Sequence, residues 1–304
     1  MRKIMLNGQW ELAEAGNDRL CEVQVPGSVL SGLYGAGKIE DPFYRTNEDA
    51  TRELFRKDYE FSRTFVAAED ILKEEKIILV CEGLDTLADI YINGQKAGSA
   101  DNMHRTWKLD VKEFFHSGEN QIRIVFRSVF KYIEAYEYED NKEIQYVPCG
   151  GMKGNQLIRK AHCMFGWDWG PQTIDAGIFR DIYLEAYSHP RIEDVKITQV
   201  QGDNAVDVCT TVAVSGDAVD KCQVRVTIQE DAESVCGHRT GANDRKTEAH
   251  VCKVGETVSA NNNPAVLTSS IYNPKLWWPN GYGNQRYIKF RWNFWTSMAQ
   301  FWKP

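Results

Sequence analysis

Residues 87–96 read LADIYINGQK, and they carry the clearest structural signal in the chain. An apolar run from Leu87 to Ile92 leads into Asn93-Gly94, and the chain returns through Gln95 and Lys96. Asn-Gly between two strand-like runs is the strongest short-range signal of a β-hairpin, because both residues tolerate a positive φ. We therefore predict two antiparallel strands joined by a two-residue turn.

Further strand signals surround this hairpin, whereas helical signals are short. Apolar or alternating runs occur at 77–81 (IILVC), 121–127 (QIRIVFR) and 181–187 (DIYLEAY). Helical patterns cover only residues 27–35 and a turn or two from Asn47 onward. Strands that do not alternate with long helices argue against a βαβ architecture. We predict an all-β fold.

A domain boundary is indicated near residues 188–191 (SHPR). Beyond it, alternating apolar residues share one face of 206–214 and one face of 222–228, which is typical of an immunoglobulin-like β-sandwich. The polar stretch 230–263 lacks such a pattern. A chain of 304 residues also exceeds a typical single domain of about 150. We predict domains at 1–189 and 190–304.

Composition excludes several functional classes. The formal charge is −7 with no basic cluster, which argues against a nucleic-acid partner. No apolar run approaches the roughly 18 residues of a membrane span. The N-terminal MRKIMLNGQW lacks the apolar segment of a secretory signal, so we expect a cytoplasmic protein that has no membrane partner.

The eight cysteines do not predict a metal site. Their closest spacing is 13 residues, between Cys209 and Cys222, so the chain has no CxxC ligand pair. His162 and Cys163 are adjacent rather than at chelating spacing, and they are interpreted as packing residues. We expect reduced, mostly buried thiols and no metal.

Residues 161–171 read AHCMFGWDWGP and place one carboxylate between two indoles. Two interpretations are open. Trp167, Asp168 and Trp169 form either a core corner, with the carboxylate bonded to backbone, or a sugar-binding tip. An indole suits the C–H face of a pyranose, and a carboxylate accepts hydrogen bonds from sugar hydroxyls.

Several stretches together carry a resemblance to a known family. The chain resembles the N-terminal part of the β-mannosidases of glycoside hydrolase family 2. The matching stretches are VPGSVLSGL (25–33), GKIEDPFYRTNE (37–48), EGLDTLADIYINGQ (82–95), DNMHRTW (101–107), RKAHCMFGWDWGP (159–171), GIFRDIYLEAY (177–187) and NPKLWWPNGYGNQ (273–285).

The resemblance implies an order of domains. A jelly-roll (galactose-binding-like) sandwich comes first, an immunoglobulin-like sandwich follows, and a (β/α)₈ barrel with both catalytic carboxylates comes next. A barrel needs about 250 residues, and only 19 follow Gln285. We therefore expect the barrel to be missing and this chain to contain no catalytic residue. Asn47-Glu48 is better interpreted as a helix start than as a catalytic glutamate.

The resemblance also implies roles for individual residues. Trp167 would pack beside the terminal mannose and Asp168 would bind its hydroxyls. Trp169 is a weaker candidate, since neighbours on an extended chain face opposite ways and this indole would then anchor the loop. His104 and Arg105 either support the same loop or form a surface salt bridge. Trp277 and Trp278 are predicted to pack beneath the turn 279–283.

The last residues depart from the family pattern. Residues 286–304 (RYIKFRWNFWTSMAQFWKP) include Trp292, Trp295 and Trp302 without a clear alternation. Either the second sandwich is incomplete at this end, or these residues form a real final strand with a hydrophobic tail.

Three functions are consistent with this sequence. The first is the N-terminal portion of an exo-β-mannosidase that acts with retention on a β-mannoside or manno-oligosaccharide, without cofactor, and is inactive without the barrel. The second is a stand-alone carbohydrate-binding module. The third is a structural pair of sandwiches that docks onto a separate barrel polypeptide.

Overall fold

The structure is a computed structural model that describes residues 2–140, 151–215, 222–230, 256–259, 264–283 and 288–296. The chain divides into two compact units, Met1–Tyr187 and Ser188–Pro304. Each unit has its own apolar core.

The described residues of the first unit consist mainly of strands, with three short α-helices. Its strands are β1 (Arg2–Met5), β2 (Gly8–Glu14), β3 (Arg19–Val25), β4 (Gly27–Ser28), β5 (Tyr59–Ala67), β6 (Lys76–Cys81), β7 (Leu84–Asp85), β8 (Ala88–Ile92), β9 (Gln95–Ala100), β10 (Trp107–Asp110), β11 (Gly118–Phe126), β12 (Gly177–Ile178) and β13 (Ile182–Tyr187). Its helices are α1 (Val29–Gly35), α2 (Asn47–Leu54) and α3 (Val129–Asp140).

Two antiparallel sheets enclose the core of this unit. One has the strand order β3-β2-β5-β11-β8-β9 and the other the order β1-β13-β6-β10. Both contribute fully buried side chains to one cluster, among them Phe61 and Ile124 from the first sheet and Leu79 and Leu184 from the second. The predicted all-β sandwich is confirmed.

The Asn-Gly hairpin is confirmed. Asn93 and Gly94 have φ values of 49° and 79°, and Ile92 pairs with Gln95 across the turn. The Asn93 side chain also fixes the neighbouring strand, because its Oδ1 accepts from the Gln121 amide at 2.9 Å and its Nδ2 donates to Asn120 Oδ1 at 2.8 Å.

The helices follow the sequence in two cases out of three. Helix α1 begins after Ser28, which forms a capping box with Ser31. Helix α2 begins at Asn47, with Thr46 at the cap position, so the predicted helix start at Asn47-Glu48 is confirmed. Helix α3, whose residues Val129, Phe130 and Ile133 are buried, has no counterpart in the sequence predictions.

A small third sheet leads into the 161–171 region. Strand β12 pairs with β4 on one side and with β7 on the other. Gly177, with φ 156°, makes this close approach possible, because a Cβ there would lie 2.6 Å from the Gly27 carbonyl oxygen. The chain thus returns from the loop directly onto two other strands.

The described residues of the second unit also form two antiparallel sheets. Its strands are β14 (Arg191–Gln201), β15 (Ala205–Ser215), β16 (Cys222–Glu230), β17 (Glu256–Ser259), β18 (Ala265–Tyr272) and β19 (Ile288–Thr296), in the orders β14-β15-β18 and β17-β16-β19. The predicted faces are confirmed. Alternate residues of β15 are buried, and so are Val224, Val226 and Ile228 of β16. The Cys222 side chain and most of the polar stretch 230–263 lie outside the described residues.

The chain end agrees with the alternative of a real strand. Residues 288–296 pair with all of β16, so that Trp292 stands opposite Val226. Trp302 lies outside the described residues. Trp278 contacts the turn as predicted, because a Cβ on Gly283 would lie 2.8 Å from its ring, yet both Trp277 and Trp278 remain about half exposed. No helix in the described part of the chain is long and apolar enough to cross a membrane.

Candidate functional site

Residues 167–170 form a tight turn rather than an extended segment. The Trp167 amide donates to the Gly170 carbonyl at 3.4 Å, and the Gly170 amide donates to the Trp167 carbonyl at 3.3 Å. Asp168 and Trp169 therefore occupy the two central positions of the turn, from which both side chains project away from the chain. We call residues 166–172 the indole loop.

This turn corrects the prediction that Trp169 packs inward. Trp169 is 82% exposed and Trp167 is 47% exposed. The prediction assumed an extended chain, in which successive side chains alternate between faces. A turn abolishes that alternation, and the more exposed indole is the one expected to be buried. Asp168 is exposed as well, so the interpretation as a core corner is wrong.

The indole loop is anchored on its N-terminal side. Phe165, at the end of a short 3₁₀ turn (His162–Phe165), is fully buried, and its carbonyl accepts from the Met152 amide at 2.9 Å. His162 and Cys163 in the same turn are exposed, so their predicted packing role is wrong. The apolar anchor is Phe165.

Helix α2 holds the loop on its C-terminal side. The Gln172 amide donates to Glu48 Oε2 at 3.2 Å, and the Arg52 guanidinium donates to the Gln172 side-chain oxygen. Arg52 also pairs with Asp49 one turn earlier. Glu48, the residue that the sequence assigned to a helix start, thus also connects the helix to the indole loop.

The loop and this helix line an open cleft of about 660 Å³. The cleft contains the indole rings of Trp167 and Trp169, the carboxylates of Glu48 and Asp168, and the guanidinium of Arg45. Phe43, 74% exposed, also lines it. Flat aromatic faces beside hydrogen-bonding charged groups suit a ligand with an apolar face and several hydroxyls, which is the chemistry of a sugar ring.

The segment 101–105 contacts residues 159 and 161, which precede the indole loop, through Met103. The Met103 amide donates to the Arg159 carbonyl at 3.0 Å, and the Ala161 amide contacts Met103 Sδ at 2.9 Å. Arg105 instead stacks on Trp107, with 4.7 Å between guanidinium carbon and ring centroid. Loop support by His104 and Arg105 stays a prediction.

Other sequence expectations concern metals and thiols. Within the described ranges, no group of three or more His, Cys, Asp and Glu side chains is placed to hold a metal ion. Cys21 and Cys81 are buried thiols, and burial raises the pKa of Cys81 to about 12. Cys149, Cys236 and Cys252 lie outside the described residues.

Sequence reasoning missed the contribution of helix α2 to the cleft. Arg52 of α2, Arg45 just before this helix and Gln172 of the indole loop line the cleft together with the predicted loop residues. A signal for this contact was present in the sequence, because residues 37–48 and 159–171 both belong to the stretches that resemble the β-mannosidases. Their contact could not be read from the sequence, because residues 48 and 172 lie 124 positions apart and only the tertiary structure brings them together.

Residues 10–180 match the protein family described as glycosyl hydrolase 2 galactose-binding domain-like. That match covers more than half of the chain, so the chain belongs to this family of galactose-binding-like domains. The predicted family membership is confirmed.

The curated relatives narrow this class. The β-mannosidase of Mus musculus is 29% identical over 296 residues, which cover 92% of this chain and 31% of the relative. β-Mannosidase B of Emericella nidulans is 29% identical over 291 residues, which cover 92% of this chain and 32% of the relative. The chain thus spans about a third of the length of the curated relatives it matches.

The solved structures with a similar fold also include a β-mannosidase. The crystal structure of a β-D-mannosidase from Dictyoglomus thermophilum has a TM-score of 0.76 and 26% identity, covering 96% of this chain and 34% of that one. A β-glucuronidase from Bifidobacterium dentium, with a TM-score of 0.54 and 18% identity, shows the shared fold alone. The chain is thus similar to about a third of these β-mannosidases, over a stretch that includes the galactose-binding-like domain.

Proposed function

We propose that this chain supplies part of the sugar site of an exo-β-mannosidase that releases terminal β-mannose with retention. The observation that carries the proposal is the indole loop, which presents Trp167, Asp168 and Trp169 to an open cleft. The β-mannosidase relatives supply the reaction and the substrate class.

The loop residues are assigned separate tasks in this proposal. Trp167 offers a half-exposed ring against which a pyranose C–H face can stack. Asp168 supplies an exposed carboxylate that accepts hydrogen bonds from neighbouring sugar hydroxyls. Trp169 provides a second ring, whose exposure supports a ligand role more than the anchoring role expected from sequence.

The bond-breaking groups are assigned to a barrel domain. Retaining glycosidases use two carboxylates about 5 Å apart, one as acid and base and one as nucleophile. The cleft holds Glu48 and Asp168, but the Glu48 carboxylate accepts from the Gln172 amide and thereby serves the loop. We propose that the chain acts with such a barrel as its partner and requires no cofactor. The cytoplasmic location predicted from the sequence stays a prediction.

The test is hydrolysis of an aryl β-mannoside by two proteins. One is the 304-residue chain; the other is a chimera in which this chain replaces the matching N-terminal third of the Dictyoglomus thermophilum β-mannosidase. We expect turnover by the chimera only. In the chimera, Asp168→Asn should lower kcat/KM by about 10- to 100-fold, since a charge-assisted hydrogen bond is worth about 1.5–3 kcal/mol. The exposed Asp18→Asn is the matched control.

A second function is favoured by the exposure of Trp169, which would suit a stand-alone carbohydrate-binding module. Titration of the chain alone with manno-oligosaccharide distinguishes this function from the first one. Millimolar or tighter binding that Trp169→Ala abolishes would support the carbohydrate-binding module. An active chimera whose kcat/KM is indifferent to Asp168→Asn and Trp167→Ala would contradict the proposed role of the loop.

A further inference from the structure

Lys160 is a fully buried lysine directly in front of the 161–171 region. Its side chain is 0% exposed, and its ammonium donates to Asp85 Oδ2 at 2.5 Å and to the Asp175 carbonyl oxygen at 2.7 Å. A buried ammonium is costly unless it is paired and hydrogen-bonded. Here the nitrogen has two close oxygen partners, which come from different parts of the chain.

These partners join the two ends of one segment. Lys160 precedes residues 161–174 and Asp175 follows them, and the indole loop lies between. The contact from Lys160 Nζ to the Asp175 carbonyl therefore closes the segment at its base. Asp85 belongs to β7, which pairs with β12 immediately after Asp175. The ammonium ties both ends of the segment to the sheet.

Asp175 extends the same cluster to helix α1. Its Oδ1 accepts from the Leu30 amide at 3.1 Å and from the Ala176 amide at 2.8 Å, and Ser28 also donates to the carboxylate. Burial raises the pKa of Asp175, while these hydrogen bonds and the Lys160 charge oppose that rise. Without the ammonium, the buried Asp85 carboxylate and the partly buried Asp175 carboxylate would lose their nearby positive charge.

We propose that Lys160 is a positioning residue that closes the base of segment 161–174 and thereby holds the indole loop at the cleft. An apolar side chain could fill the same space, but it could not join an Asp85 oxygen to an Asp175 oxygen. The consequence for sugar binding rests on the proposed function, whereas the consequence for the loop does not.

The test is hydrogen exchange of the full chain, followed by mass spectrometry on peptides covering 161–176 and on peptides of β2, a strand of the large sheet that contains none of the mutated residues. The variants are Lys160→Met and, as a milder change that retains a hydrogen-bonding side chain, Asp85→Asn. Ile124→Ala, in the core of the large sheet, is the destabilised control. Each protein is measured at the same interval below its own melting temperature, so that global destabilisation is matched.

We expect exchange of 161–176 to rise about tenfold in Lys160→Met and less in Asp85→Asn, with exchange of β2 unchanged relative to the control. If neither folded variant speeds exchange of 161–176 beyond Ile124→Ala, the proposal is overturned. Should Lys160→Met not fold, Asp85→Asn decides by the same criterion. Faster exchange with unaltered manno-oligosaccharide binding would keep the positioning role and count against the sugar role of the loop.

Discussion

Gln172 lies directly against Gly166, closing the indole loop on itself. A Cβ built on Gly166 would lie 2.3 Å from Gln172 Cγ, and Gly166 has a φ of 86°. The Gln172 side chain cannot withdraw freely, because its oxygen accepts from Arg52. The loop conformation therefore depends on a residue without a side chain at position 166.

Gly166→Ala should destabilise the protein by more than a positive φ alone explains. Gly166 has φ 86° and ψ 169°, a backbone region essentially restricted to glycine, which costs a residue with a Cβ about 1–3 kcal/mol. The collision with Gln172 adds about 1–3 kcal/mol of overpacking. Chemical unfolding measures the sum. The matched control is Gly16→Ala, where φ is 80° and no atom lies within 4 Å. Equal losses in the two variants would show that the contact with Gln172 is not restrictive.

Arg52→Gln should weaken sugar binding without removing the loop residues. The variant loses the guanidinium contact to Gln172 and the pair with Asp49. In the chimera we expect KM for an aryl β-mannoside to rise about three- to tenfold with kcat little changed, as for loss of uniform binding. Arg56→Gln is the control, because Arg56 pairs with Glu53 and Glu134 on the surface. If the two variants had the same KM, the contact between Arg52 and the indole loop would have no role in sugar binding.

The strands could be predicted because their signals are local. Alternation at 121–127 and 206–214 reports directly which side chains face a core, and Asn93-Gly94 fixes a turn by backbone preference alone. Helix α3 was missed because its residues Val129, Phe130 and Ile133 make a short apolar stripe beside a polar remainder, and burial against the sandwich decides its structure.

The site could be predicted only in part, for a geometric reason. Trp167, Asp168 and Trp169 were found as a motif, but the direction of Trp169 depends on two hydrogen bonds between residues 167 and 170. Arg52 and Lys160 were not found at all. Each depends in part on a partner more than 70 positions away, Gln172 for Arg52 and Asp85 for Lys160, and no local pattern reports such a contact.

Asp89 should stabilise the first unit near neutral pH, and this contribution should be lost in acid. Burial raises the pKa of this carboxyl, but hydrogen bonds from Lys96 and Ser99 and the charge of Arg127 outweigh it, so the folded pKa lies below the ordinary 3.8. A carboxyl whose pKa is lower in the folded protein than in the unfolded chain stabilises the fold. This stabilisation is fully present above the pKa of the unfolded chain and is lost as the pH falls through the pKa of the folded protein. The stability advantage over Asp89→Asn should therefore be about 1 kcal/mol near pH 6 and should shrink below pH 3.8. Urea unfolding at several pH values measures this stability difference, and hydrogen exchange of β8 peptides at the same pH values provides a second, local measurement. Asp18→Asn in an exposed turn is the control, and an advantage that grows on acidification would refute the assignment.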